Sequence, residues 1–224
     1  MTTVPTSRRV AHSGRLRAPG FGIAGALLLW LGASSFGDTP DTRDTTTAVA
    51  HYFTTNRTNV LVGAALFGAG LLCLLAVSSR VAAQLECAGQ PVIGRFAHSA
   101  ATIAVAMLLG TVVLIDAGLS YVIGAEAPET AKGLFELTLM ATPIAGLALA
   151  ASTGAIAIGL VRSRSRRRWF CALTGATAVV LAVTACSFAE SGPFSPDVQQ
   201  QVLLTVLVVW LAASPRSQRL LPVR

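Results

Sequence analysis

The chain has 224 residues, of which 53% are hydrophobic and only 12% charged, against about a quarter charged in ordinary soluble domains. A water-facing surface this poor in charge would aggregate, so lipid must stand in for water around most of it. The net charge of +7 does not indicate nucleic acid, because the basic residues are spread over the gaps between apolar runs, where membrane topology explains them.

The hydrocarbon core of a bilayer is about 30 Å thick, so a spanning helix needs about 20 apolar residues. Six runs predict an all-α, polytopic membrane bundle of six transmembrane helices. A basic tail, 1–18, leads into the first run, 19–36, which opens on Pro19 at a favoured helix start. Its basic lead and the small residues Ala33 to Ser35 also support a rival reading as a cleaved signal, with Ser7-Arg8-Arg9 hinting at a twin-arginine type. The segment 37–58 opens on a turn, Asp38-Thr39-Pro40-Asp41, and then predicts a short surface helix from Thr45 to Asn56 with Ala48, Tyr52 and Phe53 toward lipid.

The remaining helices are expected over 59–78, 99–124, 134–161, 169–188 and 198–213, the last being the weakest because its continuous apolar core is short. A basic tail, 214–224, follows. Pro143 should kink the fourth helix. Small residues recur every four positions at Gly146, Ala150 and Gly154, at Ala64 and Gly68, and at Ala178 and Ala182. Such stripes let helix backbones approach closely, inside the monomer or in a homodimer through helix 134–161.

Orientation follows from the basic residues. Arg8, Arg9, Arg15 and Arg17, then Arg80 and Arg95, then Arg162, Arg164, Arg166, Arg167 and Arg168, then Arg216, Arg219 and Arg224 fall on one side. Only Arg43, Arg57 and Lys132 fall on the other. Positive loops stay inside, so both termini are expected in the cytoplasm and the chain in the cytoplasmic membrane. Trp169, Phe170 and Trp210 are expected at the inner headgroup boundary, with Tyr52, Phe53 and Tyr121 at the outer one.

Asp116 is the sharpest functional candidate. In a helix over 99–124 it lies about 6–7 Å from the midplane, where an ionisable group is a functional hypothesis by default. If the helix stops near Gly118, it sits at the headgroups instead. Ser120, one turn on, is placed to hydrogen-bond the carboxylate, and Arg57, just before the second helix, to form an ion pair with it. Glu136, at the outer start of the fourth helix, either complements the helix dipole or shares an outward cavity with Asp116.

Arg162, Arg164, Arg166, Arg167 and Arg168 anchor the topology and are candidate contacts for anionic lipids at the inner surface. No zinc, nucleotide or protease motif stands up, and no metal, cofactor or nucleic acid is expected. Gly118-Leu119-Ser120-Tyr121 fits the G-x-S-x pattern of intramembrane serine proteases but lacks a histidine base within reach. The few polar residues expected in the membrane are Thr102, Thr111, Ser120, Thr174, Thr177 and Thr184.

Three features resemble a broad group of uncharacterised multi-pass bacterial membrane proteins. They are the Thr-rich outer segment ending His51-Tyr52-Phe53-x-x-Asn56-Arg57, the Arg-rich loop running into Trp169, and the late Trp210-Leu211. That resemblance implies no activity. The leading functional expectation is a non-enzymatic accessory protein acting through a membrane partner or lipid. The alternative is a small transporter or ion-coupled permease using Asp116.

Overall fold

The structure, a computed structural model, describes residues 19–40, 44–120, 128–163, 168–186 and 196–214. Among these residues there are seven helices and no strand: α1 (Pro19–Phe36), α2 (Thr46–Thr55), α3 (Arg57–Cys87), α4 (Pro91–Gly118), α5 (Pro128–Arg162), α6 (Arg168–Cys186) and α7 (Pro196–Ala213). Helices α3 to α6 are long and apolar enough to cross a membrane, while α1 and α7 are shorter apolar helices.

The six long helices close into a ring. Each packs on its neighbours in the chain, and α7 returns to pack on α1. Leu71, Leu108, Leu149, Ile156, Leu207 and Trp210 fill the interior. Large apolar side chains on all six helices face outward, among them Trp30, Leu72, Ile103, Ile144, Val179 and Val209. An apolar exterior around a packed interior is the arrangement that a lipid solvent selects.

Helices α3 and α5 are much longer than their apolar runs. Thirty-one residues of α3 extend about 46 Å, well beyond a hydrocarbon core. The expected inner loop over 79–98 is therefore almost entirely helix. What remains is a three-residue corner: Gly89 is left-handed (φ +84°), Gln90 N donates to Leu85 O and Gly89 N to Glu86 O, and Pro91 starts α4. This is a Schellman cap, and it needs the glycine there.

The tightest seam joins α1 to α3. A Cβ on Gly32 would stand 2.5 Å from Phe67 N, and one on Gly70 2.8 Å from Leu29 N, so the two backbones touch where either residue lacks a side chain. Leu29 is fully buried at this seam, and α1 is an integral part of the core. The stripe Gly146 and Gly154 faces Leu203 of α7 with Ala185 of α6, and Ala178 of α6, respectively. Both glycines of that stripe thus pack within the monomer.

Two further expectations are corrected. Trp210 is fully buried and its indole Nε1 donates to Thr174 Oγ1 at 3.4 Å, while Phe170 is also buried. Trp169 alone of the three inner aromatic residues is exposed. The short helix α2 forms as expected, capped by Thr45 Oγ1 accepting from Ala48 N. Its Tyr52 and Phe53, however, turn inward, packing with Val60, Leu119, Ala131, Phe135 and Leu139 into a second small core. Tyr121 lies outside the described residues.

A buried carboxylate in a cavity beneath α2

The ring encloses a cavity of about 150 Å³ at the end that α2 covers. Every helix except α6 contributes to its wall: Ala33 and Phe36 from α1, Tyr52 and Phe53 from α2, Phe67 from α3, Leu108, Val112 and Asp116 from α4, Phe135, Thr138, Leu139 and Thr142 from α5, and Leu203 and Leu204 from α7.

Two of these helices are irregular beside the cavity. Leu109–Ile115 of α4 forms a π-helix that leads directly into Asp116. Such widened turns are rare and concentrate at functional sites. The β-branched run Thr111-Val112-Val113 is poorly suited to a tight helix, and Thr111 Oγ1 bonds back to Met107 O at 2.8 Å. On α5, Pro143 supplies no N–H for the carbonyl of Leu139, a cavity residue.

Asp116 directly follows the π-turn near the end of the described part of α4 and is only 8% exposed. Beside it, Val49, Tyr52 and Phe53 of α2 cluster with Leu119 and with Ala131 and Phe135 of α5. Asp116 Oδ1 has no hydrogen-bond partner. Among the described residues, only one other buried side-chain atom, Gln90 Oε1, is in that position, and its amide nitrogen donates to Gly159 O.

The expected companions of Asp116 are placed elsewhere. Ion pairs join Glu86 to Arg95 and Lys132 to Glu136, and Asp116 Oδ1 is without a hydrogen-bond partner. Arg57 is exposed in the first turn of α3, while Asp116 is buried inside the ring. Ser120 is close, but its hydroxyl donates to the main-chain oxygen of Asp116 at 3.1 Å, not to the carboxylate. Glu136 falls in the third turn of α5, because that helix starts at Pro128; Glu129 holds the first turn. Glu136 does not line the cavity and pairs with Lys132 at 3.8 Å. Lys132 also donates to Asp44 O at 2.9 Å, tying α5 to the segment before α2.

Two polar residues that the sequence reading passed over belong to the cavity, Thr138 and Thr142, together with Tyr52, which it had turned toward lipid. The two threonines are four residues apart on one helix face, and Thr142 immediately precedes Pro143, which was the available signal. Tyr52 donates to Phe36 O at 2.6 Å. Burial, and then the negative charge at Asp116, push the Tyr52 phenol up to about 12.

At the opposite end, Ser79 Oγ lies 3.1 Å from His98 Nδ1, across α3 and α4. Since α4 starts at Pro91, His98 is inside that helix and not at its edge. It is 22 residues from Ser120, about 33 Å along the helix, so no Ser–His dyad arises there. Arg162 and Arg168 are both exposed, whereas Arg164, Arg166 and Arg167 lie outside the described residues.

Comparison with protein-family models, curated proteins and solved structures finds no match for this chain.

Proposed function

We propose that this is a six-span protein of the cytoplasmic membrane, with both termini inside, that binds a small solute in the cavity beneath α2 and carries no catalytic machinery. The cavity then opens to the outer half of the membrane, and the protein acts as a small transporter or permease. The observation that carries this reading is Asp116 Oδ1, a buried carboxylate oxygen on a cavity wall with no partner in the protein. An ionisable group inside an apolar bundle is costly. A fold that neither pairs nor removes it is one in which something else completes its coordination.

This reading is preferred to the accessory one because the surfaces on which a protein partner would dock offer less. The Gly146–Gly154 stripe is already filled by α6 and α7. Arg162 and Arg168, on their exposed corner, contact anionic headgroups and hold the orientation.

The test is gentle purification from native membranes, with mass spectrometry of everything retained by the natural protein and by Asp116→Asn. A small molecule retained by the first and lost from the second is the expected result. A stoichiometric protein partner retained equally by both, with no small molecule depending on Asp116, overturns the reading in favour of an accessory role.

A further inference from the structure

We propose that the ligand of this cavity is a small organic ammonium ion: a primary amine carrying an apolar body of about the size of a benzene ring. This rests on the solute-binding reading and narrows it by the hydrogen-bonding sense of the wall. Asp116 Oδ1 is a buried acceptor with no hydrogen-bond partner. Of the four hydroxyls that line the same space, three have already spent their proton on a main-chain carbonyl. Tyr52 gives its proton to Phe36 O, Thr138 to Leu134 O at 3.3 Å and Thr142 to Thr138 O at 3.0 Å. What they present to the cavity is therefore lone pairs. The lining side chains that retain a donor are Gln201 and Thr39, and both are exposed.

A wall of acceptors around an anionic oxygen rejects carboxylates and phosphates. It suits a ligand with several N–H donors and a positive charge. An ammonium group has three donors and no acceptor, which complements this wall.

The rest of the lining sets the body of the ligand. Five aromatic rings stand around the cavity, those of Phe36, Tyr52, Phe53, Phe67 and Phe135, and the remaining wall is chiefly aliphatic. Phe53 meets Tyr52 and Phe135 edge-on, at centroid distances of 5.1 and 5.8 Å. Aromatic faces attract cations that have lost their water, and they accept apolar groups equally well. An inorganic cation gains little from them and needs six or more oxygens that this wall does not supply. A cavity of 150 Å³ accommodates a benzene-sized body.

The experiment measures ligand-induced thermal stabilisation of the full-length protein in lipid nanodiscs. Its probes are benzylammonium, the neutral benzyl alcohol, the anionic benzoate, and sodium alone. Benzylammonium is expected to stabilise the natural protein saturably, while the other three do not. Asp116→Asn should weaken that binding by about ten- to a hundredfold, the usual effect of losing a charged hydrogen-bond partner. Thr138→Leu, which fills the cavity without touching the charge, should weaken it too and guards against Asp116→Asn simply misfolding.

Equal stabilisation by benzyl alcohol or benzoate, still dependent on Asp116, overturns the ammonium assignment and leaves solute binding standing. Stabilisation by sodium alone, lost in Asp116→Asn, does the same in favour of an inorganic cation. If no probe stabilises the natural protein in an Asp116-dependent way, and native purification retains no Asp116-dependent molecule, both inferences fall.

Discussion

The two ends of the helix ring solve the same packing problem in opposite ways. At the end turned by Gly89, α3 runs directly into α4 through a three-residue cap, Leu85 is fully buried, and Ser152 closes α5 onto α4 by donating to Ala97 O at 2.8 Å. At the end covered by α2, the helices are widened by a π-turn, interrupted by proline and held apart around a cavity. Each end keeps one buried oxygen without a partner. At the Gly89 end it is a neutral amide oxygen in a packed corner, and at the α2 end a carboxylate beside open space. Each costs the desolvation of an unsatisfied acceptor, about 1–3 kcal/mol. The second belongs to an ionisable group, whose charged form costs far more there and so calls for a function or a partner.

If the packed part of the ring holds the fold together, changes there must be the most destructive. Gly94→Ala, at the Gly89 end, places a methyl 2.7 Å from the main-chain oxygen of Ala82, which cannot rotate away. We expect a loss of about 3 kcal/mol, at the upper end of overpacking effects, measured by unfolding in bilayers or mixed micelles. Gly110→Ala is the matched control in the widened segment, where a Cβ meets nothing within 4 Å. It should change stability by less than about 1 kcal/mol. Comparable losses at the two positions would mean that the two regions are equally tight and that the cavity is not a real feature of the fold.

The second test reverses the usual sign. Asp116→Asn replaces a buried ionisable carboxyl, one oxygen of which has no partner, by a neutral amide, so the variant should unfold at a higher temperature than the natural protein when no ligand is present. The gain should be about 1–2 kcal/mol. A loss of stability on this change would show that the carboxylate has a stabilising partner, and the contrast between the two ends would collapse.

How much of this was legible beforehand depends on which physical signal each feature leaves. Hydrophobic run length and basic residues gave the first helix as 19–36 and the sixth as 198–213, close to the observed Pro19–Phe36 and Pro196–Ala213. The same signal undercounted α3 and α5. Their ends carry Arg80, Glu86 and Lys132, and charge marks where apolar sequence stops, not where a helix stops. Asp116 stood out because an acid in an apolar run is rare. Its neighbours did not, because burial beneath α2 depends on α2 folding inward over the bundle. The sequence pattern of α2 reads equally well facing lipid or protein. The π-turn left no clear trace, and proximity along two helix ends, the ground for placing Arg57 beside Asp116, says nothing about which way each side chain turns.

A third test separates cover from wall. Tyr52→Phe removes the bond to Phe36 O, at a cost of about 1 kcal/mol near neutral pH. Its more telling signature lies at high pH. The phenol of Tyr52 is held up at about 12, above its ordinary value of 10, by burial and then by the charge at Asp116. The folded state therefore keeps this proton where the unfolded chain has lost it. That contribution to stability is complete below pH 10 and is lost as pH rises from about 10 through 12. Tyr52→Phe should lose less stability than the natural protein across that window. Parallel profiles would mean that Tyr52 is open to water and that α2 does not close the cavity.

The smallest effect belongs to the residue that sequence reasoning placed nearest to Asp116 in role. Glu136 is nearly half exposed and meets Lys132 at 3.8 Å, with the basic residue on the N-terminal side, the weaker order for a helical pair. An exposed pair of this kind is worth about half a kcal/mol at most. Glu136→Gln should therefore leave both stability and ligand binding within about 0.5 kcal/mol of the natural protein. Lys132→Ala should cost somewhat more than Glu136→Gln, because it also removes the bond to Asp44 O that ties α5 to the segment leading into α2. The difference between the two variants measures the tether and not the charge. Glu136→Gln weakening binding as strongly as Asp116→Asn would put a second carboxylate in the site, and the cavity would then have to be redrawn to reach the third turn of α5.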